Sequence, residues 1–302
     1  MAEDVTVLAT PRVEYQRFVQ RRLQQRAAEL WAELSRGDID RAWRAVAPRL
    51  RLAVATSQRL SAEGASEYVD AALSAQGATS RRLASVPSRA FAGYAADGRD
   101  LDGALVQPMI RLRRDLDAGM PRPDALGRGE RATLRLVTGL VGDTAHVADG
   151  VALGLQPEAA GYVRRVTVPA CGRCLILAGK FFARNAGFQR HPRCDCTHVP
   201  VTRSWSASSP DELLSRMTPE QRVAALGKDG AEAVAKGADM QSVVNARRGM
   251  SSPADRTTTE DTSKRGVVPG GPRATPAALL DRYGDDPVKF RAALRDNGYL
   301  SA

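Results

Sequence analysis

The stretch "CGRCLILAGKFFARNAGFQRHPRCDCTH", residues 171–198, holds all four cysteines of this 302-residue chain. Cys171 and Cys174 have C-x-x-C spacing, at which a tight backbone turn lets two thiolates bind one ion, and Cys194 and Cys196 follow in the second half. Zinc in structural sites takes four tetrahedral nitrogen or sulfur ligands. The stretch therefore predicts a structural Zn²⁺ site with these four cysteines as ligands. We call residues 171–198 the cysteine window.

Two histidines compete with the cysteines for the metal. His191 and His198 lie in the same window, so six side chains are candidates for four positions. Because C-x-C chelation is geometrically tight, either histidine could replace Cys194 or Cys196. Reduced cysteines packed without metal, and disulfides, are the other readings. Large apolar residues are few in the window, and ligation can supply folding free energy on the order of 10 kcal/mol in small zinc modules.

The sequence gives no sign of export or of a membrane span. No apolar run approaches the roughly 20 residues that cross a bilayer, and the N-terminal segment lacks a basic region followed by an apolar stretch. We therefore expect the chain to be made and kept in a reducing cytoplasm, away from membranes. Disulfides are rare there, which favours metal binding by the cysteines.

The composition predicts a mainly α fold. Aromatic residues are only 5% of the chain, whereas good helix formers such as Ala and Arg are abundant. Apolar residues recur at three- and four-residue steps in three amphipathic stretches. The predicted organisation is a helical bundle (1–125) ending at a Pro- and Gly-rich joint, then a helix with a zinc-knuckle-like α+β module (126–203), a helical extension (204–250), a flexible linker (251–274) and a C-terminal helical hairpin (275–302).

The net charge of +10 is concentrated in two zones. Residues 11–60 hold eleven arginines against five acidic residues, and residues 161–203 hold eight basic residues against one acid. Basic zones on a mildly acidic remainder indicate an anionic partner such as nucleic acid. The alternative is that these arginines are solvated helix faces. As nucleic-acid-binding residues in the second zone we predict Arg164, Arg165, Arg184, Arg190 and Arg193.

Known catalytic patterns do not fit the chain. Zinc deaminases need H-x-E before a P-C-x-x-C motif, but here the upstream histidine, His146, is followed by Val147 and Ala148. An HNH-type nuclease needs a further Asn and His beyond its metal finger, here "HPRCDC", and His198 is the last histidine in the chain. A Ser-His-Asp constellation, a P-loop and a G-x-G-x-x-G motif are not evident. We therefore predict no catalytic residues, and we interpret His146 as a structural histidine.

The segment "VTVPACGRCLILAGKFFARNAGFQRHPRCDCTHVPV", residues 166–201, resembles the terminal signature of the phage Mu protein F-like (MuF-like) minor head proteins. It is most similar to the version found in tailed phages and prophages of actinobacteria. The shared features are a helix leading into C-x-x-C, an "LAGK" element and "GFxRHPxCDCxHxPV". Three downstream segments also resemble those proteins: "GADMQSVVNARRGM" (237–250), "TTTEDTSKRG" (257–266) and "TPAALLDRYGDDPVKFRAALRDNGYL" (275–300).

The resemblance implies a non-enzymatic minor capsid or head-morphogenesis protein. Its implied partners are the portal protein, the major capsid or scaffold protein and packaged double-stranded DNA, bound without sequence preference. Its implied location is the interior of the phage head, with the host cytoplasm during assembly. Two alternatives remain: a zinc-dependent nucleic-acid-binding protein that reads a specific duplex sequence, and a metalloenzyme with an open zinc position, for which Asp195 is the only acid nearby.

Overall fold

The structure, a computed structural model, describes residues 5–79, 81–187, 196–203, 209–250, 252, 254–260 and 272–300. The chain divides into two compact units. The first unit comprises residues Met1–Arg165 and Lys180–Ser206, and the second comprises Val166–Gly179 and Ala207–Ala302. The prediction of a mainly helical chain with a small sheet is confirmed.

The first unit contains six helices among the described residues. They are α1 (Thr10–Ala32), α2 (Ile39–Ala62), α3 (Ala65–Ser74), α4 (Leu101–Leu105), α5 (Gln107–Asp117) and α6 (Arg122–Gly154). On α1, apolar residues three or four positions apart form one buried face that includes Val19, Leu23, Ala27 and Leu30. This face packs with α2, α5 and α6 around a single apolar core.

Two proline-containing segments are more regular than the sequence predicts. α2 continues as one helix through Pro48, although a proline inside a helix often kinks or ends it. The Pro- and Gly-rich joint after α5 becomes the start of α6. Pro123 lies in the first helical turn, where backbone N–H groups make no hydrogen bonds within the helix, so the missing N–H of proline costs nothing. The predicted boundary between residues 125 and 126 therefore falls inside α6.

A three-stranded antiparallel sheet completes the first unit. It consists of β1 (Gly161–Arg165), β2 (Phe181–Ala183) and β3 (Thr197–Val201), in the order β2-β1-β3. Tyr162 of β1 is opposite Phe182, and Arg164 is opposite His198. Tyr162 and Phe182 pack against buried residues of α3 and α6. The described residues 180–187 and 196–198 of the cysteine window therefore belong to the first unit.

The second unit contains seven short helices and a two-stranded ladder among the described residues. They are α7 (Gly172–Leu175), α8 (Pro210–Ser215), α9 (Pro219–Leu226), α10 (Lys228–Ala235), α11 (Met240–Ala246), β4 (Thr257–Thr258), β5 (Arg273–Ala274), α12 (Pro276–Tyr283) and α13 (Pro287–Asp296). Ser209 and Thr218 form capping boxes at the starts of α8 and α9. Phe290, Leu294 and Tyr299 are at the centre of this unit's core.

Two parts of the predicted flexible linker (251–274), residues 257–258 and 273–274, pair as the β4–β5 ladder. Thr258 is fully buried and its hydroxyl donates to the carbonyl of Ala246 at 2.6 Å. Arg273 of β5 donates to the carbonyl of Asn297 at 2.6 Å, and its guanidinium lies over the Tyr299 ring. These contacts join both ends of the segment to the second unit's core, whereas residues 261–271 lie outside the described part of the chain.

No helix in the described part of the chain has both the length and the apolar character needed to cross a membrane.

Candidate functional site

The first cysteine pair forms a tight turn at the start of α7. The backbone N–H groups of Cys174 and Leu175 both donate to the carbonyl of Cys171, each at 3.0 Å. Cys171 is half-buried and Cys174 is buried. This is the backbone turn that the C-x-x-C spacing predicts.

Gly172 allows this turn to pack closely against two helices of the second unit. A Cβ at this position would lie 2.8 Å from Val244 Cγ2 on α11 and 3.1 Å from the carbonyl oxygen of Ala225 on α9. Because the backbone oxygen cannot move aside easily, a side chain at residue 172 would displace the turn. Glycine is therefore required at residue 172 for this close approach.

The last cysteine, Cys196, and the last histidine, His198, lie in the first unit. Cys196 directly precedes β3 and is buried, and His198 is only 2% exposed in the middle of that strand. The His198 ring packs edge-on against Tyr162, with ring centroids 4.4 Å apart. Burial lowers the pKa of His198 to about 3, and the positive charge of Arg164 adds to this effect. At neutral pH the imidazole is thus uncharged, which is the form that binds metals.

The candidate metal ligands are divided between the two units. Cys171 and Cys174 belong to the second unit, whereas Cys196 and His198 belong to the first. His191 and Cys194 lie outside the described residues. In the described ranges, no three His, Cys, Asp or Glu side chains come together as a group that could hold a metal ion. The zinc ligand set therefore stays a prediction, and the donor chemistry of the window remains compatible with it.

His146 on α6 lies beside His198, which the sequence did not predict. The two ring centroids are 5.7 Å apart. His146 also lines a small cavity of about 30 Å³ together with Cys196 and Asp149. The two histidines are 52 positions apart in the chain, on a helix and a strand whose packing no local pattern reveals. Sequence reasoning had therefore no signal that would pair them.

The two histidines open onto a larger cleft of the first unit, with a volume of about 450 Å³. Tyr162, Asp143 and Arg184 line it with them. Arg184 donates to the carbonyl of Gln156 at 3.0 Å, which holds its guanidinium in place. The cleft is lined by imidazole, phenol, carboxylate and guanidinium groups, a set suited to binding a polar ligand.

The predicted nucleic-acid-binding arginines differ in exposure. Arg164 is 3% exposed in the central strand, Arg165 is half-buried, and Arg184 is exposed. Arg190 and Arg193 lie outside the described residues. The structure thus presents Arg184 to solvent, whereas the side chain of Arg164 is not available at the surface for a phosphate group.

A second basic surface lies on the helices of the first unit, in a groove of about 420 Å³. We call it the α1–α6 groove. It is lined by Arg17, Gln20, Arg21 and Gln24 of α1 and by Arg131, Leu134, Arg135 and Thr138 of α6. Two sequence features indicated the α1 half of the groove: the surplus of positive charge in residues 11–60 and the spacing of its four polar residues, which lie on one helix face. The α6 half was missed, because nothing in the sequence shows that these residues face α1.

No family model, no curated protein and no solved structure matches this chain. The function is therefore proposed from the residues themselves and from the surfaces described above.

Proposed function

We propose that this chain is a non-enzymatic minor capsid or head-morphogenesis protein of a tailed phage. It acts with the portal in procapsid assembly and contacts packaged DNA through its basic surfaces. The observation that carries the proposal is the combination of C-x-x-C with "HPRCDCTHVPV" in residues 166–201, which resembles the MuF-like signature. A mainly helical chain with a net charge of +10 suits a compartment filled with DNA.

A metal-stapled Cys/His module is part of this proposal. The C-x-x-C turn at α7, the burial of Cys174 and Cys196 and the neutral imidazole of His198 support it. In this role Zn²⁺ would hold distant segments of the chain and would supply folding free energy. It would take no part in a reaction, because structural zinc sites have all four positions filled by protein ligands.

The test is incorporation into heads. The chain is co-expressed with the portal, scaffold and major capsid proteins of the same genome, and procapsids are separated from free protein by sedimentation. We expect the chain to sediment with procapsids that contain portal and to be absent from shells assembled without portal. Equal incorporation with and without portal would contradict the portal role, and no incorporation would overturn the proposal.

The second candidate is a zinc-dependent regulator that reads a specific DNA sequence. It is favoured by the same cysteines and by the exposed arginines Arg184 and Arg21. Selection of binding sites from a random duplex library separates the two functions. A head protein enriches no sequence, because phosphate contacts carry no base information, whereas a regulator enriches one motif and binds it at least about 10³-fold more tightly than random DNA.

A further inference from the structure

The arginines of the α1–α6 groove stand on two helices that the core holds in place. Arg21 lies four residues after Arg17 on α1, and Arg135 lies four residues after Arg131 on α6. Residues four apart on a helix share one face, so each helix contributes one pair of guanidinium groups to the groove. The opposite faces of both helices are buried in the first unit's core. The guanidinium groups are therefore presented from a rigid surface.

The groove contains positive charge and neutral hydrogen-bonding groups, with no carboxylate among its lining residues. The Gln24 side-chain amide donates to the Thr138 hydroxyl at 2.8 Å, which joins the two helices across the groove. Leu134 supplies the apolar part of the lining. This composition matches an anion with several oxygen acceptors, because guanidinium groups bind phosphate through paired N–H donors.

Several other arginines of the first unit are paired with carboxylates. Such ion pairs join Arg26 to Glu29, Arg49 to Glu33, Arg51 to Asp102, Arg59 to Glu63, Arg82 to Asp70, Arg99 to Asp97 and Arg128 to Asp115. Arg21, Arg131 and Arg135 are exposed, and within the described ranges they form no ion pair. Like charges held together in one groove repel one another, and a bound polyanion would remove that repulsion.

From this geometry we infer that the α1–α6 groove is a binding site for the phosphate backbone of double-stranded DNA. The inference rests on the proposed function, since a protein inside a packaged head is surrounded by duplex DNA. It assigns the DNA contact to residues other than the arginines predicted in the second basic zone, residues 161–203. The groove offers guanidinium, amide and hydroxyl groups, all of which bind phosphate oxygens, so it carries no sequence preference.

The experiment compares two variants with the same loss of charge. The groove variant is Arg21→Gln/Arg131→Gln/Arg135→Gln. The control variant is Arg44→Gln/Arg81→Gln/Arg111→Gln, which changes three exposed arginines of the first unit that lie outside the groove. Binding of each full-length protein to a fluorescent random-sequence 24-base-pair duplex is measured by anisotropy at several salt concentrations. A polyglutamate peptide is the second probe.

We expect the groove variant to bind the duplex on the order of tenfold more weakly at low salt, with a salt slope shallower by about 3, because each phosphate contact contributes about 0.9 to the slope. The control variant should stay close to wild type. The groove variant should also melt no lower than wild type, because it loses like-charge repulsion and keeps its core. If its helical circular dichroism is reduced, the single variants Arg21→Gln and Arg135→Gln serve instead, each with an expected slope change of about 1.

Three results would overturn the inference. Equal losses in both variants would mean that net charge alone attracts DNA. An unchanged groove variant beside a wild type that binds DNA would place the contact elsewhere and leave the proposed function intact. Tighter, groove-dependent binding of polyglutamate than of DNA would indicate an acidic protein partner. The head-incorporation assay is independent of all three, so failure of the groove and failure of the proposed function are distinguishable.

Discussion

Arg12 and Asp149 form a buried ion pair, with Arg12 Nη2 2.7 Å from Asp149 Oδ1 and side-chain exposures of 4% and 2%. The same guanidinium donates to the carbonyls of Ser61 at 2.8 Å and Glu63 at 2.7 Å. These two carbonyls are at the C-terminal end of α2, where helical acceptors lack donors from the helix itself. One side chain thus joins α1, α2 and α6 and supplies donors to carbonyls at the end of α2.

Asp149→Ala should destabilise the first unit by about 3–5 kcal/mol, because it leaves the buried Arg12 charge without its partner. Urea unfolding followed by tryptophan fluorescence reports on this unit through Trp31 and Trp43. The matched control is Glu29→Ala, which breaks the exposed pair with Arg26 and should cost less than about 1 kcal/mol. Similar small losses for both variants would contradict a structural role for the buried pair.

Gly129→Ala should destabilise the first unit, although alanine is the better helix former. A Cβ at Gly129 would lie 2.4 Å from Cζ2 of Trp31, whose Nε1 is held by a hydrogen bond to the carbonyl of Leu126 at 3.1 Å. Displacing this ring should cost about 1–3 kcal/mol. Gly139→Ala is the control in the same helix, with no atom within 4 Å of the added Cβ, and it should stabilise the protein by up to about 1 kcal/mol. Unfolding midpoints in urea measure both, and changes of the same sign would contradict the packing.

Local features of the fold were predictable from the sequence. The apolar spacing of Val19, Leu23 and Leu30 is sufficient to define α1, because the pattern depends only on helix periodicity. Asp and Thr are favoured at helix N-caps because their side-chain oxygens accept backbone hydrogen bonds. Asp38 and Thr275 do so here, from the N–H groups three residues later. Such signals act within one turn of the chain.

Features that join distant segments were not predictable. Gly129 meets Trp31 across 98 positions, and strand β3 pairs with β1 through the register of Arg164 and His198. The sequence alone suggested that Arg164 binds nucleic acid, because the residue lies in a basic zone, but the sheet buries it. The neighbourhood of His146 depends on the same tertiary packing. Charge counts reveal that a surface is basic, and only the packing of helices determines which arginines share a groove.

Tyr299 should remain protonated at pH values where tyrosines in an unfolded chain ionise. Burial raises the pKa of Tyr299 to about 12, and the charge of Arg273, 4.1 Å from the ring centroid, partly opposes this. The unfolded chain releases this proton at about pH 10, so its contribution to stability is complete below pH 10 and is lost as the pH rises towards 12. The expected loss is at most about 1.4 kcal/mol per pH unit from this one group.

Spectrophotometric titration at alkaline pH tests the Tyr299 prediction. In the native protein, Tyr299→Phe should remove one tyrosine that ionises late, at high pH. In the urea-unfolded protein, the same variant should show one tyrosine fewer ionising at about pH 10. It also removes the hydroxyl that donates to the carbonyl of Ala274 at 2.9 Å, so a modest loss of stability is expected at neutral pH. An unchanged late phase in the native variant would show that Tyr299 is accessible to solvent.

Metal content is the last prediction, and it tests the cysteine window directly. Protein purified under reducing conditions should contain about one zinc per chain by elemental analysis, and chelation should make the cysteine thiols reactive, because metal ligation requires thiolates. The double variant Cys171→Ser/Cys174→Ser and the single variant Cys196→Ser should each lose the metal if both halves of the window bind one ion. His198→Gln distinguishes the alternative ligand set, since only a site that uses this imidazole would lose zinc.

His146→Gln is the control for metal binding, because His146 lies beside His198 but belongs to no predicted ligand set. It should retain zinc at the wild-type level. Loss of zinc in this variant would place the ion between α6 and β3 and would replace the predicted ligands with a site built by tertiary packing. Wild-type protein with no metal and four reactive thiols would exclude a structural zinc site in the cysteine window. In that case the close approach of α7 to α9 and α11 around Gly172 would have to hold the first half of the window through apolar packing alone.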